Sequence, residues 1–388
     1  MKGGLVFSSV TIVLVGLYVA FCLHLLVKSA QILYRRMRIH TMSYADVGEA
    51  AMICFPNPKV TRFSKPFRYT VDVVICMDLF GACATYQLII AKSLKQLVEN
   101  SQTTSLDGKE PGYPGLRVYM AAMCIPIILI CLIRHLKYLA PFSVGANIII
   151  MICAGTAVYY VFEFNPKFEN LVLYTSPYKM CEFVGMAAFS MSCAGVVLPI
   201  ENSMREPKKF PLTLTLGMCI NVVLVFTISF FGYASFLDKC ESPITVNFPM
   251  RMFPRIIKGG IAIMIYATHA LNFWVPFNLV FHYIKKRHSE KNIVKWELFY
   301  RTIFVITITI VAIIFPNINS LMGFLGSFCL SLMAFVWPNI IYLLVIWKRP
   351  GLGKYRWKLW RSLVLIIIGM VLFVCGSGVN LIELMKNI

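Results

Sequence analysis

The sequence predicts an all-α, polytopic helical membrane protein. Of its 388 residues, 59% are hydrophobic and 14% are charged, whereas a soluble domain carries about 25% charged residues. The mean hydropathy is +0.73, and apolar runs of about 20 residues, the length that spans a bilayer as a helix, recur from one end to the other. This pattern excludes a water-soluble globular protein and predicts a single transmembrane domain over residues 1–388.

About ten apolar runs are long enough to cross roughly 30 Å of hydrocarbon as a helix. They cover residues 5–27, 69–90, 118–133, 142–162, 183–200, 212–236, 259–282, 299–315, 321–346 and 360–382. The third and eighth runs are short. The fifth is interrupted by Gly185, Gly195 and Pro199, so its helical signal is the most irregular.

The basic residues of the loops set the orientation by the positive-inside rule. Of the 37 Lys and Arg residues, 25 lie on one side, mainly in loops 28–68, 283–298 and 347–359, and 12 lie on the other. The first side is therefore predicted to be cytoplasmic, and both termini external. An external N-terminus four residues ahead of the first span, without a signal peptide, suggests that one further helix precedes this sequence.

Composition also excludes several classes of function. A net charge of +20 is compatible with nucleic-acid binding, but the basic residues lie in short loops rather than on a basic domain. The thirteen cysteines show no CxxC spacing, so we expect neither a zinc site nor a disulfide framework, and no cofactor. No pairing of a nucleophile with a base indicates an enzyme.

The fifth run is the most informative segment for a polar site. From Phe189 it reads FSMSCAGVVLPIEN, with Ser190, Ser192 and Gly195 at its centre and a proline after it. Such a segment can unwind and present backbone groups to a substrate or an ion. The alternative, which spacing alone favours, is a tightly packed helix whose small residues permit close approach to its neighbours.

Ionisable residues at mid-span depth are further candidates, because a charge inside the bilayer is costly. Asp72 lies within one turn of the predicted inner boundary and is interpreted as a solvated interfacial carboxylate. Asp78 lies about 13 Å deep by helix rise, and His269 lies at a similar depth in the seventh run. The two form a candidate pair for proton coupling; the alternative is two separately satisfied polar residues.

Aromatic side chains within the spans can line a cavity, although most pack in the interior or form the interfacial belt. Only Tyr86 and Trp274 are retained as candidates for substrate contact.

The stretch FSMSCAGVVLPIENSMREPKKF, residues 189–210, is the most specific of several recognisable segments. HLLVKSAQILYRR with Tyr44-Ala45-Asp46 precedes it, and Ile244-Thr245-Val246-Asn247 and ALNFWVP, residues 270–276, follow it. Together and in this order, these segments resemble the proton-coupled amino acid transporter family, within the amino acid/auxin permease superfamily. The similarity covers nearly the whole chain.

The resemblance implies an eleven-helix, inverted-repeat (LeuT-like) transporter whose central site is formed by its unwound first and sixth helices. The fifth run would be the sixth helix of the family. The Gly-rich first helix of the family is absent from this sequence, which agrees with the charge argument for a missing span. Phe189, Ser190, Ser192 and Gly195 would then contact the substrate.

Two departures from the family concern proton coupling. Ser192 replaces a family glutamate in the fifth run, and Asn278 replaces another after Pro276. The expected function is secondary transport of small neutral amino acids, with proton coupling through Asp78 and His269. The alternatives are an amino-acid sensor or a non-transporting truncated form. The expected location is the plasma membrane or an endosomal or lysosomal membrane.

Overall fold

The computed structural model is entirely helical over the residues it describes. These are residues 3–39, 41–100, 114–133, 140–163, 172–236, 242–249, 251–289, 292–347 and 351–386. The longer helices are α1 (Leu5–Met37), α4 (Ser64–Glu99), α5 (Leu116–Cys131), α6 (Ala140–Glu163), α7 (Pro177–Ser190), α9 (Phe210–Phe236), α10 (Met252–Lys285) and α11 (Ile293–Ile314). The shorter ones are α2 (Tyr44–Ile53), α3 (Pro58–Arg62), α8 (Val197–Ser203), α12 (Ile318–Leu325), α13 (Trp337–Ile346), α14 (Trp357–Val371) and α15 (Ser377–Lys386).

Each predicted span coincides with one helix or with two or three consecutive helical segments. Among the described residues, seven helical stretches are long and apolar enough to cross a membrane, and shorter apolar helices occupy 116–131 and 145–160. The fifth predicted span corresponds to α7 and α8. The eighth is longer than expected, because α11 runs for 22 residues. The chain is therefore a polytopic helical membrane protein.

Two of the spans contain widened helical turns. Residues Gly326–Val336, between α12 and α13, form an 11-residue π-helix, and Leu372–Gly376 forms a shorter one between α14 and α15. A π-helical turn shifts the register of the backbone hydrogen bonds and often marks a functional position. Neither widening was expected from the apolar pattern.

The loop 28–68 contains two helices that the sequence analysis did not predict. Ser43 precedes helix α2 and caps it with a capping box: the Ser43 side chain accepts from the Asp46 N–H, while the Asp46 carboxylate accepts from the Ser43 N–H. This arrangement satisfies two backbone donors that a helix start leaves exposed. Arg68 holds α2 to the start of α4 through ion pairs with Asp46 and Glu49 at 3.0 and 2.9 Å.

The described residues group into two compact units. The first comprises Met1–Met77, Leu173–Phe226 and Gly323–Ile382, and the second comprises Asp78–Val172, Thr227–Met322 and Glu383–Ile388. Within the first unit, α7 packs against α1 and against the π-helix. Within the second, α10 packs against α6 and α5, and α5 against α11.

Glycines allow α7 and the span containing the π-helix to approach very closely in the first unit. A Cβ atom on Gly326 would lie 1.9 Å from the carbonyl oxygen of Gly185, and one on Gly185 would lie 2.4 Å from the carbonyl oxygen of Gly323. Real Cβ atoms do not occupy such positions. The small residues of α7 therefore form a packing contact N-terminal to the segment proposed as a site.

Asp72 differs from its sequence-based interpretation. Its side chain is buried in the first unit, with 6% of the residue exposed, rather than solvated at the interface. Depth along a helix does not reveal which way a side chain faces, and this one faces the protein. Residues 100–115 join the second and third predicted spans, and the orientation predicted from the basic residues makes them an external loop. This loop lies largely outside the described residues.

Candidate functional site

Helices α7 and α8 are the two halves of one span, separated by residues 191–196. On the α7 side, the N–H of Ser192 reaches back to the carbonyl of Phe189 at 3.0 Å. On the α8 side, the N–H of Val197 bonds to the carbonyl of Cys193 at 3.1 Å. The predicted interruption is present, and the alternative of a continuous packed helix is wrong for these residues.

The break leaves three backbone N–H groups without a backbone acceptor. Within the described part of the chain, the N–H groups of Cys193, Ala194 and Gly195 donate no backbone hydrogen bond. At membrane depth such donors need a ligand, water or another protein group. Residues 189–196 themselves contain only apolar, cysteine and serine side chains.

The serines of the break have different local roles. The Ser190 hydroxyl donates to the carbonyl of Ala187 at 2.8 Å and so closes the last turn of α7. The Ser190 carbonyl accepts from the Asn221 side chain on α9 at 3.2 Å. Ser192 is exposed and Phe189 is half-buried. Asn221, which the sequence analysis did not single out, therefore positions the end of α7.

Gly195 lies in a confined but not closed position. A Cβ atom there would lie 3.4 Å from Met333 Cε and 3.7 Å from Ile75 Cγ2. Both separations are near ordinary van der Waals contact, so a methyl group fits with little adjustment. A larger side chain would have to displace Met333 or fill the break.

Tyr86 and Trp274, the aromatic candidates, both lie in the second unit. Tyr86 on α4 accepts a hydrogen bond from the Asn272 side chain on α10 at 3.1 Å. Trp274 follows two positions later on α10, and both aromatic side chains are half-buried. This hydrogen bond joins α4, which carries Tyr86, to α10, which carries Trp274.

The proton-coupling candidates Asp78 and His269 are both buried in the second unit. The Nε2 atom of His269 lies 3.3 Å from the Nε2 atom of Gln87. The Nδ1 atom of His269 lies 3.6 Å from the Sγ atom of Cys131. Gln87 follows Asp78 on α4 by nine residues, which is about two and a half turns and therefore the opposite face of the helix. The geometry does not bring Asp78 and His269 together as a direct pair, and each must be tested separately.

Glu201 is a buried ionisable residue that the sequence analysis missed. It lies in α8, only 1% exposed, and its Oε1 accepts from Gln31 Nε2 on α1 at 2.8 Å. The partners are 170 positions apart in the chain, so no local pattern links them.

An all-helical polytopic chain with one discontinuous span, whose unwound backbone is lined by small and hydroxyl residues, has the features of a secondary transporter. Residues 1–382 match the family model described as "Transmembrane amino acid transporter protein". The chain belongs to this family, which is one of transporters and not of enzymes. The resemblance found in the sequence is thereby confirmed at the level of the family.

Two relatives illustrate the similarity. The chain is 29% identical over 395 residues to "Proton-coupled amino acid transporter-like protein pathetic" of Drosophila melanogaster, an alignment that covers 100% of this chain and 80% of that protein. It is 27% identical over 330 residues to "Amino acid transporter AVT3C" of Arabidopsis thaliana, covering 82% of this chain and 72% of that protein.

Proposed function

We propose that this protein is a secondary transporter of small neutral amino acids and that residues 189–196 form part of its substrate site. The observation that carries the proposal is the interrupted span with three consecutive N–H groups, from Cys193 to Gly195, that donate no backbone hydrogen bond within the described residues. A substrate carboxylate is the natural acceptor for such donors in a low-dielectric site.

The C-terminal end of α7 supplies the complementary charge. The last carbonyls of a helix carry partial negative charge, which favours a cation such as the ammonium group of an amino acid. The N–H groups of the break would therefore bind the carboxylate of an amino acid, and the last carbonyls of α7 would bind its ammonium group. The absence of charged side chains between Phe189 and Val196 favours substrates whose own side chains are neutral, because an extra charge would remain unpaired.

Proton coupling is part of the proposal, with Asp78 and His269 as the candidate groups. Both are buried in α4 and α10, and ionisable residues within spans commonly mark ion or proton pathways. Ser192 and Asn278 remove two carboxylates expected from the resemblance, so any coupling depends on other titratable side chains. The name of the Drosophila relative, a "proton-coupled amino acid transporter-like protein", supports testing this property.

Uptake into vesicles distinguishes a transporter from a sensor. Purified protein reconstituted in liposomes should accumulate radiolabelled alanine, glycine or proline above the level of protein-free liposomes, and internal unlabelled substrate should accelerate entry by exchange. A sensor would bind the same amino acids, measured as saturable retention on the detergent-solubilised protein, without flux. Binding without any flux would overturn the proposal in favour of a sensor.

A further inference from the structure

A pocket of about 520 Å³ lies in the first unit, where the end of α1 meets the end of α8. Its lining includes Gln31, Tyr34, Arg35, Arg38, Glu201 and Lys208. The loops that follow both helices belong to the side that the positive-inside rule assigns to the cytoplasm. The pocket therefore opens toward the predicted cytoplasmic side and lies outside the helix break described above.

Glu201 is the buried acidic member of this pocket. Gln31 donates to its Oε1 at 2.8 Å, whereas its Oε2 has no hydrogen-bond partner within the described residues. A buried carboxylate with one unsatisfied oxygen is unfavourable unless a proton, a cation or water completes it. Oε2 is therefore positioned to take a proton or to accept a hydrogen bond from water in the pocket.

The neighbouring hydrogen bonds hold the end of α8 in place around Glu201. The Tyr34 hydroxyl donates to Asn202 Oδ1 at 3.2 Å, and Asn202 Nδ2 donates to the carbonyl of Met42 at 3.0 Å. These two hydrogen bonds join α8 to α1 and to Met42, which lies between α1 and α2. Neither bond involves Glu201. The Glu201 carboxylate is therefore not the sole contact that holds α8 against α1.

The charged groups that share the pocket are all cationic. Arg35 and Arg38 lie at the end of α1, and Lys208 follows α8; all three are exposed. Cations near a carboxyl group favour its ionised form. The pocket therefore offers an aqueous path, lined by cations, from Glu201 to the predicted cytoplasmic side.

We propose that Glu201 is the carboxylate from which the co-transported proton leaves to the cytoplasm, with the pocket as its aqueous exit. This proposal rests on the proposed function and adds a release group to it. Gly195 precedes Glu201 by six residues, so Glu201 lies close in sequence to the substrate segment. In the release step the O–H bond of the protonated carboxyl breaks, the electron pair stays on the oxygen, and a water molecule in the pocket accepts the proton.

The test varies the pH on the pocket side alone. Wild-type protein is reconstituted with the 28–68 loop facing the vesicle interior, verified by protection of that loop from added protease. Alanine uptake at a fixed external pH should fall several-fold as the interior is acidified from about pH 7.5 to about pH 5.5, because release from Glu201 is then opposed. Glu201→Gln should make the remaining uptake independent of interior pH and should abolish alanine-driven acidification of an internal pH dye.

Glu206→Gln is the matched control, because Glu206 is an exposed carboxylate on the same segment, paired with Lys209 at 2.7 Å. It should retain the wild-type dependence on interior pH. Persistence of that dependence in Glu201→Gln would overturn the proposal, and so would a wild-type protein that transports alanine without responding to interior pH. In both cases the transport function itself would stand, whereas absence of any wild-type flux would overturn both.

A second variant decides the question if Glu201→Gln is inactive. Gln31→Leu removes the donor to Oε1, which stabilises the ionised carboxylate, and leaves the carboxyl group in place. Inhibition by interior acid should then begin at a higher pH than in the wild type. An unchanged inhibition curve in Gln31→Leu would contradict the assignment of Glu201.

Discussion

The hydroxyl group of Tyr44 donates a 2.6 Å hydrogen bond to the main-chain carbonyl of Met333. Tyr44 is the first residue of α2, in the predicted cytoplasmic loop, and Met333 lies in the π-helix. The side chain of the same methionine approaches Gly195 in the helix break. One buried side chain therefore links the loop helix to the segment that borders the proposed substrate site.

Removal of this hydroxyl should destabilise the protein and impair transport. Tyr44→Phe leaves the Met333 carbonyl without its partner, and a buried unsatisfied acceptor costs about 1–3 kcal/mol. The apparent melting temperature of the purified protein should fall, and alanine uptake should decrease. Tyr355→Phe, at a residue that is 87% exposed, is the matched control and should change neither. Equal melting temperatures for the two variants would contradict the role of the hydrogen bond.

The close contact between α7 and the π-helix predicts a strict size limit at Gly326. Gly326→Ala would place a methyl group against the Gly185 carbonyl, and such overpacking typically costs about 1–3 kcal/mol. Gly217→Ala, at a position on α9 where a Cβ meets no atom within 4 Å, should leave stability unchanged or slightly increased. The melting temperatures of the two variants, measured side by side, check this prediction. A wild-type value for Gly326→Ala would show that the two helices are farther apart.

The predicted orientation can be checked by labelling introduced cysteines with an impermeant maleimide. Lys59→Cys lies on an exposed turn of α3 in the 28–68 loop and should label only after the membrane is permeabilised. Ser105→Cys, in the predicted external loop, should label in intact cells or vesicles of native orientation. Labelling of Lys59→Cys from outside would reverse the topology.

Proton coupling through α4 predicts a specific effect of Asp78→Asn. Uptake by the wild type should rise when the external pH is lowered from about 7.5 to about 5.5, because the concentration of the co-transported proton then increases. Asp78→Asn removes the titratable group and should remove this stimulation, while exchange of labelled for unlabelled substrate at equal pH persists. A wild-type uptake rate that does not change over this range would indicate facilitated diffusion.

His269→Gln tests the second proton-coupling candidate separately. The amide can still hydrogen-bond to Gln87 but cannot carry the proton of an imidazole. Loss of the response to external pH in this variant, with the response preserved in Asp78→Asn, would assign coupling to the histidine. The opposite result would assign it to Asp78.

The spans were predictable because they depend on local sequence, whereas in the fifth run spacing alone favoured a packed helix over a break. Apolar runs set the helices, and the small residues with Pro199 allowed an interruption. The π-helix at 326–336 was not predictable, since its residues are as apolar as those of any other span. The short helix α2 was also missed, although Ser43 and Asp46 form a recognisable capping box.

The features of the site that were not predicted from the sequence are mostly contacts between residues that are far apart in the chain. Depth along two helices suggested that Asp78 and His269 could meet, but rotation about the α4 axis places Gln87, not Asp78, next to the histidine. Glu201 and Gln31 are brought together only when α1 packs beside α8. Helical rise gives depth from a sequence, whereas the facing direction is set by packing among helices.

Amino-acid uptake by Gly195 variants tests the central claim most directly, because Gly195 lies in the break and admits only a small group. Gly195→Leu should reach the membrane in wild-type amounts yet lose alanine uptake, since its side chain would fill the space offered to the substrate. Gly195→Ala, whose methyl group fits beside Met333 at about 3.4 Å, should retain most of the uptake. Wild-type uptake by Gly195→Leu would contradict the claim and would leave residues 191–196 as a structural irregularity without a role in substrate binding.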